Sequence, residues 1–274
     1  MSKSDTDILN ELSQIGKFHF GKIGVLPERK AIIRLIKLAQ KVLFPEYFHY
    51  EDLTASEALS RMHIVLEEQI RAAVCFDGQD CQGCMDAGKT AQQFIDQLPQ
   101  TKQLICTDIQ AIYDGDPAAF TKAEVILCYP GFYAICIYRL AHVLYTLKVP
   151  YIPRIMTEYA HEKTGVDINP GATIGDHFCI DHGTGIVIGE TAVLGHHVKL
   201  YQGVTIGAKS FELDENGNPV KGGKRHPDIG DHVIIYANAT ILGGNTKVGS
   251  NSVIGGNVWL LKSVEPGSRI YYKE

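Results

Sequence analysis

The sequence predicts an all-helical N-terminal domain followed by a parallel β-helix built from hexapeptide repeats. Between Asp167 and Leu261 an isoleucine, leucine or valine returns about every six residues, usually with a glycine just behind it. That period fits neither an α-helix nor an alternating strand, and it is typical of a parallel β-helix. Before about residue 150, apolar residues recur at helical spacing instead. We therefore expect a helical domain over residues 1–164 and a β-helix domain over residues 165–274.

The helical domain is punctuated by capping residues and prolines. Thr54 and Glu57 have the spacing of a capping box, which opens a helix whose apolar stripe includes Met62 and Leu66. Pro99 is expected to end one helix, and Pro130-Gly131 to kink another. Residues 1–28 are polar and mixed and predict a partly ordered lead-in. The predicted helices are Arg29–Leu43, the one opened at Thr54, Asp86–Leu98, Lys102–Tyr113, Glu124–Leu147 and Arg154–Glu162.

Two interruptions of the repeat carry histidine and acidic residues. The first is the stretch Asp181-His182-Gly183-Thr184-Gly185, which adds residues to one repeat. The second is an inserted loop over residues 208–224, followed by Arg225 and His226. Its dense turn cluster at residues 214–219 predicts an exposed loop or hairpin. Because each repeat otherwise only stacks on its neighbours, we place the active site at these interruptions.

Composition and charge exclude several classes of protein. Twenty-six Lys and Arg against 31 Asp and Glu give a net charge of −5, and no long basic run suggests nucleic acid as a partner. The longest apolar run, residues 125–138, contains Pro130-Gly131 and is too short to span a membrane. The N-terminus lacks the apolar core of a signal peptide. We expect a cytoplasmic enzyme.

The cysteines suggest free thiols. Seven cysteines are an odd number in a chain without a secretion signal. Cys81 and Cys84, with Cys75 nearby, have half of the spacing of a zinc site, but no second pair follows in the sequence. We expect no metal cofactor.

The residues themselves suggest a histidine base acting in a groove. A β-helix has no interior cavity, so a ligand must bind outside it, between neighbouring subunits. His182 lies in a glycine-rich turn, and Asp167 could accept the proton of its Nδ1 and leave Nε2 free as a base. Arg225-His226 could bind a small carboxylate. The other histidines of this domain are expected to be solvated surface residues: His177, His196, His197 and His232.

Several motifs together carry a family resemblance. The stretches TGVDINPGATIG, DHGTGIVIGETAVLG, QGVTIG, GGKRHP and ANATILGG follow a helical domain that contains DGDPAAF. In this combination the chain resembles the serine O-acetyltransferases, the first committed enzymes of cysteine synthesis. The resemblance implies a left-handed parallel β-helix, a homotrimer formed through that domain, and often a dimer of trimers formed through the helices. It also implies that acetyl-CoA lies in the groove between adjacent β-helices.

The resemblance implies roles for individual residues. His182 would be the general base on the hydroxyl of L-serine, with Asp167 as its orienting partner. The positions that match those holding serine are Asp116, Asp181, Arg225 and His226. The positions whose backbone would line the pantetheine path are Ala208, Ala237 and Gly256.

The chain departs from the family pattern in three places. Lys224 stands where the motif often has Asp, and the insertion at residues 208–223 is longer than usual. Few residues follow Leu261, and the chain ends in Glu274, where family members that dock the next enzyme have a longer tail ending in isoleucine. Burying a second carboxylate there would be costly. We therefore expect no tail-mediated complex with O-acetylserine sulfhydrylase.

Two other functions are compatible with the same repeat. Another hexapeptide acyltransferase, acting on homoserine, a sugar or a xenobiotic hydroxyl, would share the histidine base but not the long helical domain with Asp116. A metalloenzyme like the γ-type carbonic anhydrases would need zinc ligands, which His177, His182 and His226 could supply. The motifs around His182 and His226 match the transferase better.

Overall fold

The computed structural model describes residues 3–15, 26–76, 85–210 and 213–272. Within these ranges, helices occupy the N-terminal part of the chain and short strands the C-terminal part. Cys81 and Cys84 lie outside the described residues. The helices are α1 (Asp5–Gln14), α2 (Arg29–Leu43), α3 (Ala55–Phe76), α4 (Ala87–Gly115), α5 (Lys122–Cys128), α6 (Pro130–Thr146) and α7 (Ile152–Thr164).

Two helices begin with capping boxes. Before α3, the Thr54 hydroxyl accepts from the Glu57 amide at 3.2 Å, and the Thr54 amide donates to the Glu57 carboxylate at 2.8 Å. This confirms the predicted capping box, and Met62, Leu66 and Ile70 of its stripe are fully buried. Before α1, Ser4 and Asp7 form the same arrangement, but no residue of α1 is buried. The predicted lead-in therefore contains a helix, α1, that does not pack against a hydrophobic core.

The prediction that Pro99 ends a helix is wrong. Helix α4 runs without interruption from Ala87 to Gly115, with Pro99 inside it. A proline in a helix interior costs about 3 kcal/mol. Here the buried side chains on both sides of it belong to one face of one helix, with Phe94 and Leu98 before it and Ile105 after it. Burying each such side chain contributes about 1.5–3 kcal/mol, which outweighs the proline penalty.

The predicted kink at Pro130-Gly131 is confirmed. Helices α5 and α6 meet at a bend of 78°, with Pro130 in the first turn of α6. No single helix among the described residues is long and apolar enough to cross a membrane. By length and composition alone the bent α5–α6 pair would qualify, and most of α6 is buried inside the protein.

The C-terminal part is a parallel β-solenoid of three sheets. The first sheet has the order β1-β4-β7-β10-β13, the second β2-β5-β8-β11, and the third β3-β6-β9-β12-β14. In the first sheet Ile168 pairs with Ile188 and Ile188 with Ile206, so the aliphatic residues of the repeat stack inside. The strands are β1 (Asp167–Ile168), β2 (Thr173–Ile174), β3 (Cys179–Asp181), β4 (Val187–Ile188), β5 (Val193–Leu194), β6 (Lys199–Tyr201), β7 (Thr205–Gly207), β8 (Asp228–Ile229), β9 (Ile234–Ile235), β10 (Thr240–Leu242), β11 (Lys247–Val248), β12 (Val253–Ile254), β13 (Trp259–Leu260) and β14 (Arg269–Ile270). These observations confirm the predicted fold class.

The turns between the sheets form three edges along the solenoid. The first edge joins the first sheet to the second and contains residues 189–192 and the insertion before β8. The second edge joins the second sheet to the third and contains residues 175–178, 195–198 and 230–233. The third edge joins the third sheet to the next coil of the first, and contains residues 182–186, 202–204, 236–239 and 255–258.

The insertion on the first edge projects into solvent. Residues 213–224 are all exposed, and Leu213 and Pro219 form an antiparallel bridge across a tight turn. The carboxylate of Asp214 accepts from the amides of Asn216 and Asn218, each at 2.9 Å. This is the hairpin that the turn cluster predicts.

A buried ion pair fixes the helices on the first coil. Asp108 of α4 is fully buried and accepts from Nε and Nη2 of Arg139 of α6 at 2.9 and 3.0 Å. Arg139 also donates to the carbonyls of Ile174 and Gly175, each at 2.6 Å. Asp108 accepts in addition from the amide of Phe178 at 2.9 Å. Because the two buried charges are paired with each other and hydrogen-bonded to the backbone, they hold α4 and α6 against the turn that precedes β3.

Candidate functional site

A cleft of about 420 Å³ lies where the helices meet the first coil. It forms at the end of α4, at the break between α5 and α6, and at the end of β3. Gly131 permits this approach, because a Cβ there would lie 2.7 Å from the carbonyl oxygen of Ile180. The residues lining the cleft are Asp116, Cys128, Tyr129, Pro130, Gly131, Ile180, Asp181, His182 and Thr184. Three of the predicted site residues, Asp116, Asp181 and His182, therefore meet in one place.

Asp116 is held in a fixed orientation. It caps the C-terminus of α4, its Oδ1 accepts from the amide of Ala118 at 2.8 Å, and its Oδ2 accepts from the hydroxyl of Tyr129 at 2.6 Å. The hydrogen bond from Tyr129, and then that from Ala118, lowers the pKa of Asp116. The same hydrogen bond raises the pKa of Tyr129 to about 12. At neutral pH the cleft therefore contains an ionised carboxylate beside a neutral phenol.

Asp181 is fixed by a lysine from the next coil. Its Oδ2 lies 2.9 Å from Nζ of Lys199, which also donates to the carbonyl of Gly115 at 2.7 Å. Burial disfavours the Lys199 ammonium, but its contacts with Tyr201 and Asp181 outweigh burial and raise the pKa of Lys199. Lys199 thus joins the end of α4 to the end of β3 and places the carboxylates of Asp116 and Asp181 at one cleft.

His182 projects from the third edge into this cleft. Its side chain is 75% exposed, and its Nε2 lies 3.8 Å from Oδ1 of Asp181. Its backbone is left-handed, with φ 59°, a conformation that asparagine and histidine tolerate better than most residues. A distance of 3.8 Å is too long for a hydrogen bond, so the imidazole is free to accept a proton from a substrate.

Asp167 precedes this turn in the sequence, and no bond between its carboxylate and His182 is seen among the described residues. It begins β1 and its amide donates to the carbonyl of Ile186 at 2.9 Å. Among the described residues no hydrogen bond or ion pair joins the Asp167 carboxylate to the His182 imidazole, whose ion-pair partner is Asp181. The role of Asp167 in orienting His182 stays a prediction.

Arg225 and His226 lie at the first edge, away from the cleft. The hydroxyl of Thr191 accepts from the amides of Arg225 and His226 at 2.9 and 3.1 Å. The guanidinium of Arg225 pairs with Glu190, whose other oxygen accepts from the hydroxyl of Tyr145 at 3.1 Å. One chain therefore does not bring these two predicted serine ligands to His182.

His226 is largely buried at this edge. Its Nδ1 accepts from the amide of Thr191 at 3.1 Å, so the neutral ring carries its proton on Nε2. The ring packs directly over Gly189, where an added Cβ would lie 2.1 Å from Nε2. Burial, and then the charge of Arg225, lowers the pKa of His226 to about 4. It is therefore neutral at physiological pH and can donate from Nε2.

The three positions predicted to line the cofactor path fall on two edges. Ala237 and Gly256 lie on the third edge and occupy the position that His182 occupies in the first coil, two residues after the buried isoleucine of the third sheet. Gly256 lies directly against Ala237, since an added Cβ would be 3.2 Å from its carbonyl. Ala208 follows β7 on the first edge. Two of the three thus form a backbone column that leads to His182.

The histidines considered as zinc ligands do not converge within one chain. His177 lies on the second edge, His182 on the third and His226 on the first. These three histidines therefore cannot bind a single ion within one chain, and the zinc site of the γ-carbonic-anhydrase alternative, with ligands from adjacent subunits, would need a second copy.

Two functional candidates were missed from the sequence. Lys199 and Tyr129 fix the carboxylates of Asp181 and Asp116. The sequence does contain a signal for Lys199, because in the hexapeptide register it stacks on Cys179, two residues before Asp181. The only local signal for Tyr129 is its position before Pro130, which does not indicate that its hydroxyl bonds to Asp116.

Comparisons with known proteins identify the family to which the chain is similar. Residues 83–136 match the family model described as the N-terminal region of serine acetyltransferase. A plasmid-encoded serine acetyltransferase from Synechococcus elongatus is 45% identical over 261 residues, which cover 89% of this chain and 81% of that relative. The crystal structure of serine acetyltransferase isoform 3 from Entamoeba histolytica, in complex with cysteine, superposes with a TM-score of 0.76 at 37% identity and covers 98% of this chain and 91% of that one.

A second solved structure is that of the serine acetyltransferase from Brucella abortus in complex with coenzyme A. It is 28% identical, superposes with a TM-score of 0.59, and covers 86% of this chain and 76% of that one. The relative from Synechococcus elongatus is similar over most of both chains. The chain therefore belongs to the serine acetyltransferase family.

Proposed function

We propose that this acyltransferase moves the acetyl group of acetyl-CoA to the hydroxyl of L-serine and releases O-acetyl-L-serine and CoA. The observation that carries this proposal is the cleft in which His182 lies beside the carboxylates of Asp116 and Asp181. A free imidazole suits the removal of a proton from a hydroxyl, and two carboxylates suit the binding of an ammonium group.

The two carboxylates select an amino acid as the acceptor. The fixed, ionised Asp116 and the Lys199-bound Asp181 face the same space, so the α-ammonium of serine would lie between them with its hydroxyl toward His182. The Entamoeba histolytica relative binds cysteine, which differs from serine only in having a thiol for the hydroxyl. A sugar hydroxyl has no cation for this pair of carboxylates, which favours serine over the sugar alternative.

The chemical step is a direct transfer. The His182 imidazole takes the proton of the serine hydroxyl while that oxygen attacks the thioester carbonyl of acetyl-CoA. The tetrahedral intermediate collapses by breaking the carbon–sulfur bond, and the CoA thiolate takes the proton from imidazolium. No protein group is acylated, so the chain needs a base but not a nucleophile.

A second copy of the chain would complete the site. Arg225 and His226 suit the carboxylate of serine, since a guanidinium and the Nε2–H of a neutral imidazole are both donors. They lie on the first edge, and His182 lies on the third. In a trimer with threefold symmetry the first edge of one copy can face the third edge of its neighbour. We infer a homotrimer, with acetyl-CoA in the groove along Ala237 and Gly256 of one copy and Ala208 of the other, and a dimer of trimers as the further possibility.

The test is release of free CoA with a panel of acceptors. The purified chain should release CoA from acetyl-CoA with L-serine as acceptor, and release it much more slowly with homoserine or a sugar. D-serine serves as a matched control, because it has the same groups in the opposite arrangement and should be a poor acceptor. Faster release with homoserine or a sugar than with L-serine would overturn the proposed substrate.

A further inference from the structure

Three histidines form a stacked column on the second edge, apart from the proposed active site. The rings of His177 and His197 stack with centroids 4.1 Å apart and planes inclined by 16°. The rings of His197 and His232 stack with centroids 4.6 Å apart and planes inclined by 10°. Each histidine lies three residues after the buried aliphatic residue of its strand in the second sheet. The column therefore repeats the spacing of the coils themselves.

The backbone does not require histidine at these positions. All three have left-handed backbones, with φ of 54°, 55° and 55°. In the next two coils the same position is occupied by Asn251, with φ 60°, and by Gly267, with φ 75°. Asparagine and glycine thus form the same turn, so the turn geometry alone does not account for three consecutive imidazoles.

An aspartate completes the cluster. Oδ1 of Asp176 lies 3.0 Å from Nδ1 of His177 and 3.0 Å from Nδ1 of His196. The hydrogen bond from His177 is the main cause that lowers the pKa of Asp176. Burial, and then the nearby His177 and His232, lowers the pKa of His197. The cluster therefore places a carboxylate oxygen beside imidazole nitrogens, which are the ligand types that suit late first-row divalent cations.

We propose that Asp176, His177 and His197 form a binding site for a late first-row divalent cation, of which Zn²⁺ and Ni²⁺ are the best matched. The three side chains each offer one ligand atom, and these atoms all lie within 4.8 Å of one another. Two ligand atoms on one such ion are roughly 3 Å apart, given bonds of about 2.0–2.1 Å. The pair formed by Asp176 and His177 already has that separation. Because the rings of His177 and His197 are stacked, binding requires at least one of them to turn so that both nitrogens point to the same ion. Imidazole and carboxylate together suit zinc and nickel.

The ion would connect three parts of the fold. Asp176 and His177 belong to the first coil and His197 to the second, and the amide of His177 donates to the hydroxyl of Thr107 in α4 at 3.1 Å. The site lies on a different edge from His182 and shares no residue with the cleft. It is therefore a structural or regulatory site and supplies nothing to the acetyl transfer.

The test is calorimetric titration of the full chain, without an affinity tag, with Zn²⁺ and separately with Ni²⁺. We expect one saturable site per chain, and a melting temperature that rises with the metal. His177→Asn and His197→Asn should each weaken binding by at least about tenfold, since even substitutions outside the ligand shell cost that much. Asparagine keeps the left-handed turn, as Asn251 shows. His232→Asn is the matched control, because it has the same turn and the same stacking but no ligand atom in the group, and it should bind as the native chain does.

Two results would overturn the proposal. One is the absence of saturable binding of either metal by the native chain. The other is native affinity in a chain carrying both His177→Asn and His197→Asn, which would place any metal elsewhere, for example at the cysteines. Melting in EDTA checks that each variant is folded, and if His177→Asn fails to fold, His197→Asn against His232→Asn decides the question alone.

Discussion

The first and third edges of the solenoid carry the two motifs of this family, and they differ in how their polar groups are satisfied. On the third edge His182 is 75% exposed and has no hydrogen bond to another side chain of the described residues. On the first edge His226 is buried, its Nδ1 is occupied by Thr191, and Arg225 is paired with Glu190. The third edge thus offers a free base, and the first edge offers a rigid pair of donors.

The two edges are therefore suited to different functions. A base must exchange a proton with substrate, so it has to be accessible and free of a permanent partner. A carboxylate-binding pair has to keep its geometry when substrate leaves, so fixing it by Thr191 and Glu190 is an advantage. Since the edges do not meet within one chain, each chain would contribute half of the site in the proposed trimer.

The largest expected effect is that of removing the base. His182→Asn should lower kcat by roughly two to four orders of magnitude, while binding of acetyl-CoA changes little. Asparagine is chosen because the residue has φ 59°, where alanine would add backbone strain. His232→Asn, at φ 55° on the second edge, should keep native kcat. Steady-state kinetics and titration with CoA measure both, and a native kcat for His182→Asn would rule out its role as the base.

Breaking the connection between the helices and the first coil should have the next largest effect. Arg139→Leu leaves Asp108 buried without its partner and removes donors from the carbonyls of Ile174 and Gly175. The free energy of unfolding should fall by about 3–5 kcal/mol. The matched control Arg154→Leu removes an exposed pair with Glu158 and should cost less than about 1 kcal/mol. Denaturant melts compare the two, and similar losses would show that the buried pair does not fix the cleft.

The smallest of these effects is a dependence of stability on pH at the first edge. The pKa of His226 is about 4 in the folded chain and 6.5 in the unfolded reference. Between these values the unfolded chain binds a proton that the folded chain does not, so stability is complete above about pH 6.5 and falls as the pH drops toward 4. The loss should be roughly 3 kcal/mol, at about 1.4 kcal/mol for each pH unit between the two pKa values.

The variant His226→Asn removes the contribution of His226 to the pH dependence of stability. The asparagine oxygen can replace Nδ1 as acceptor for the amide of Thr191 but does not titrate. The plot of unfolding free energy against pH should therefore be flatter for the variant than for the native chain between pH 6.5 and 4. Identical slopes would mean that the burial of His226 is not coupled to its proton.

The solenoid could be predicted from the sequence because its signal is local and repeated. Each coil places one aliphatic residue per strand inside, so the six-residue spacing that contains Ile168, Ile174 and Ile180 specifies the sheets and the edges together. In the structure the same register places His182 on one edge and Arg225 on another. The kink at Pro130-Gly131 was equally predictable, because the missing amide of proline acts locally.

What the sequence could not provide depends on contacts between distant segments. Pro99 remains inside a helix because residues on both sides of it are buried by other helices, and that burial is not visible in the local pattern. Lys199 fixes Asp181 only because it also reaches the end of α4. The predicted pairing of Asp167 with His182 rests on the stacking of coils and stays a prediction, since the ion pair that the described residues show for this imidazole is with Asp181.

In the proposed trimer, one active site uses His182 of one chain and Arg225 of another. The direct test is to co-express His182→Asn and Arg225→Met chains in equal amounts and to measure serine acetylation by the mixed assembly. Each variant alone should be nearly inactive. In randomly mixed trimers about a quarter of the shared sites combine a native His182 with a native Arg225, so activity should return to about a quarter of the native value. A mixture no more active than its two parents would contradict the claim, because sites contained within one chain would all carry a defect.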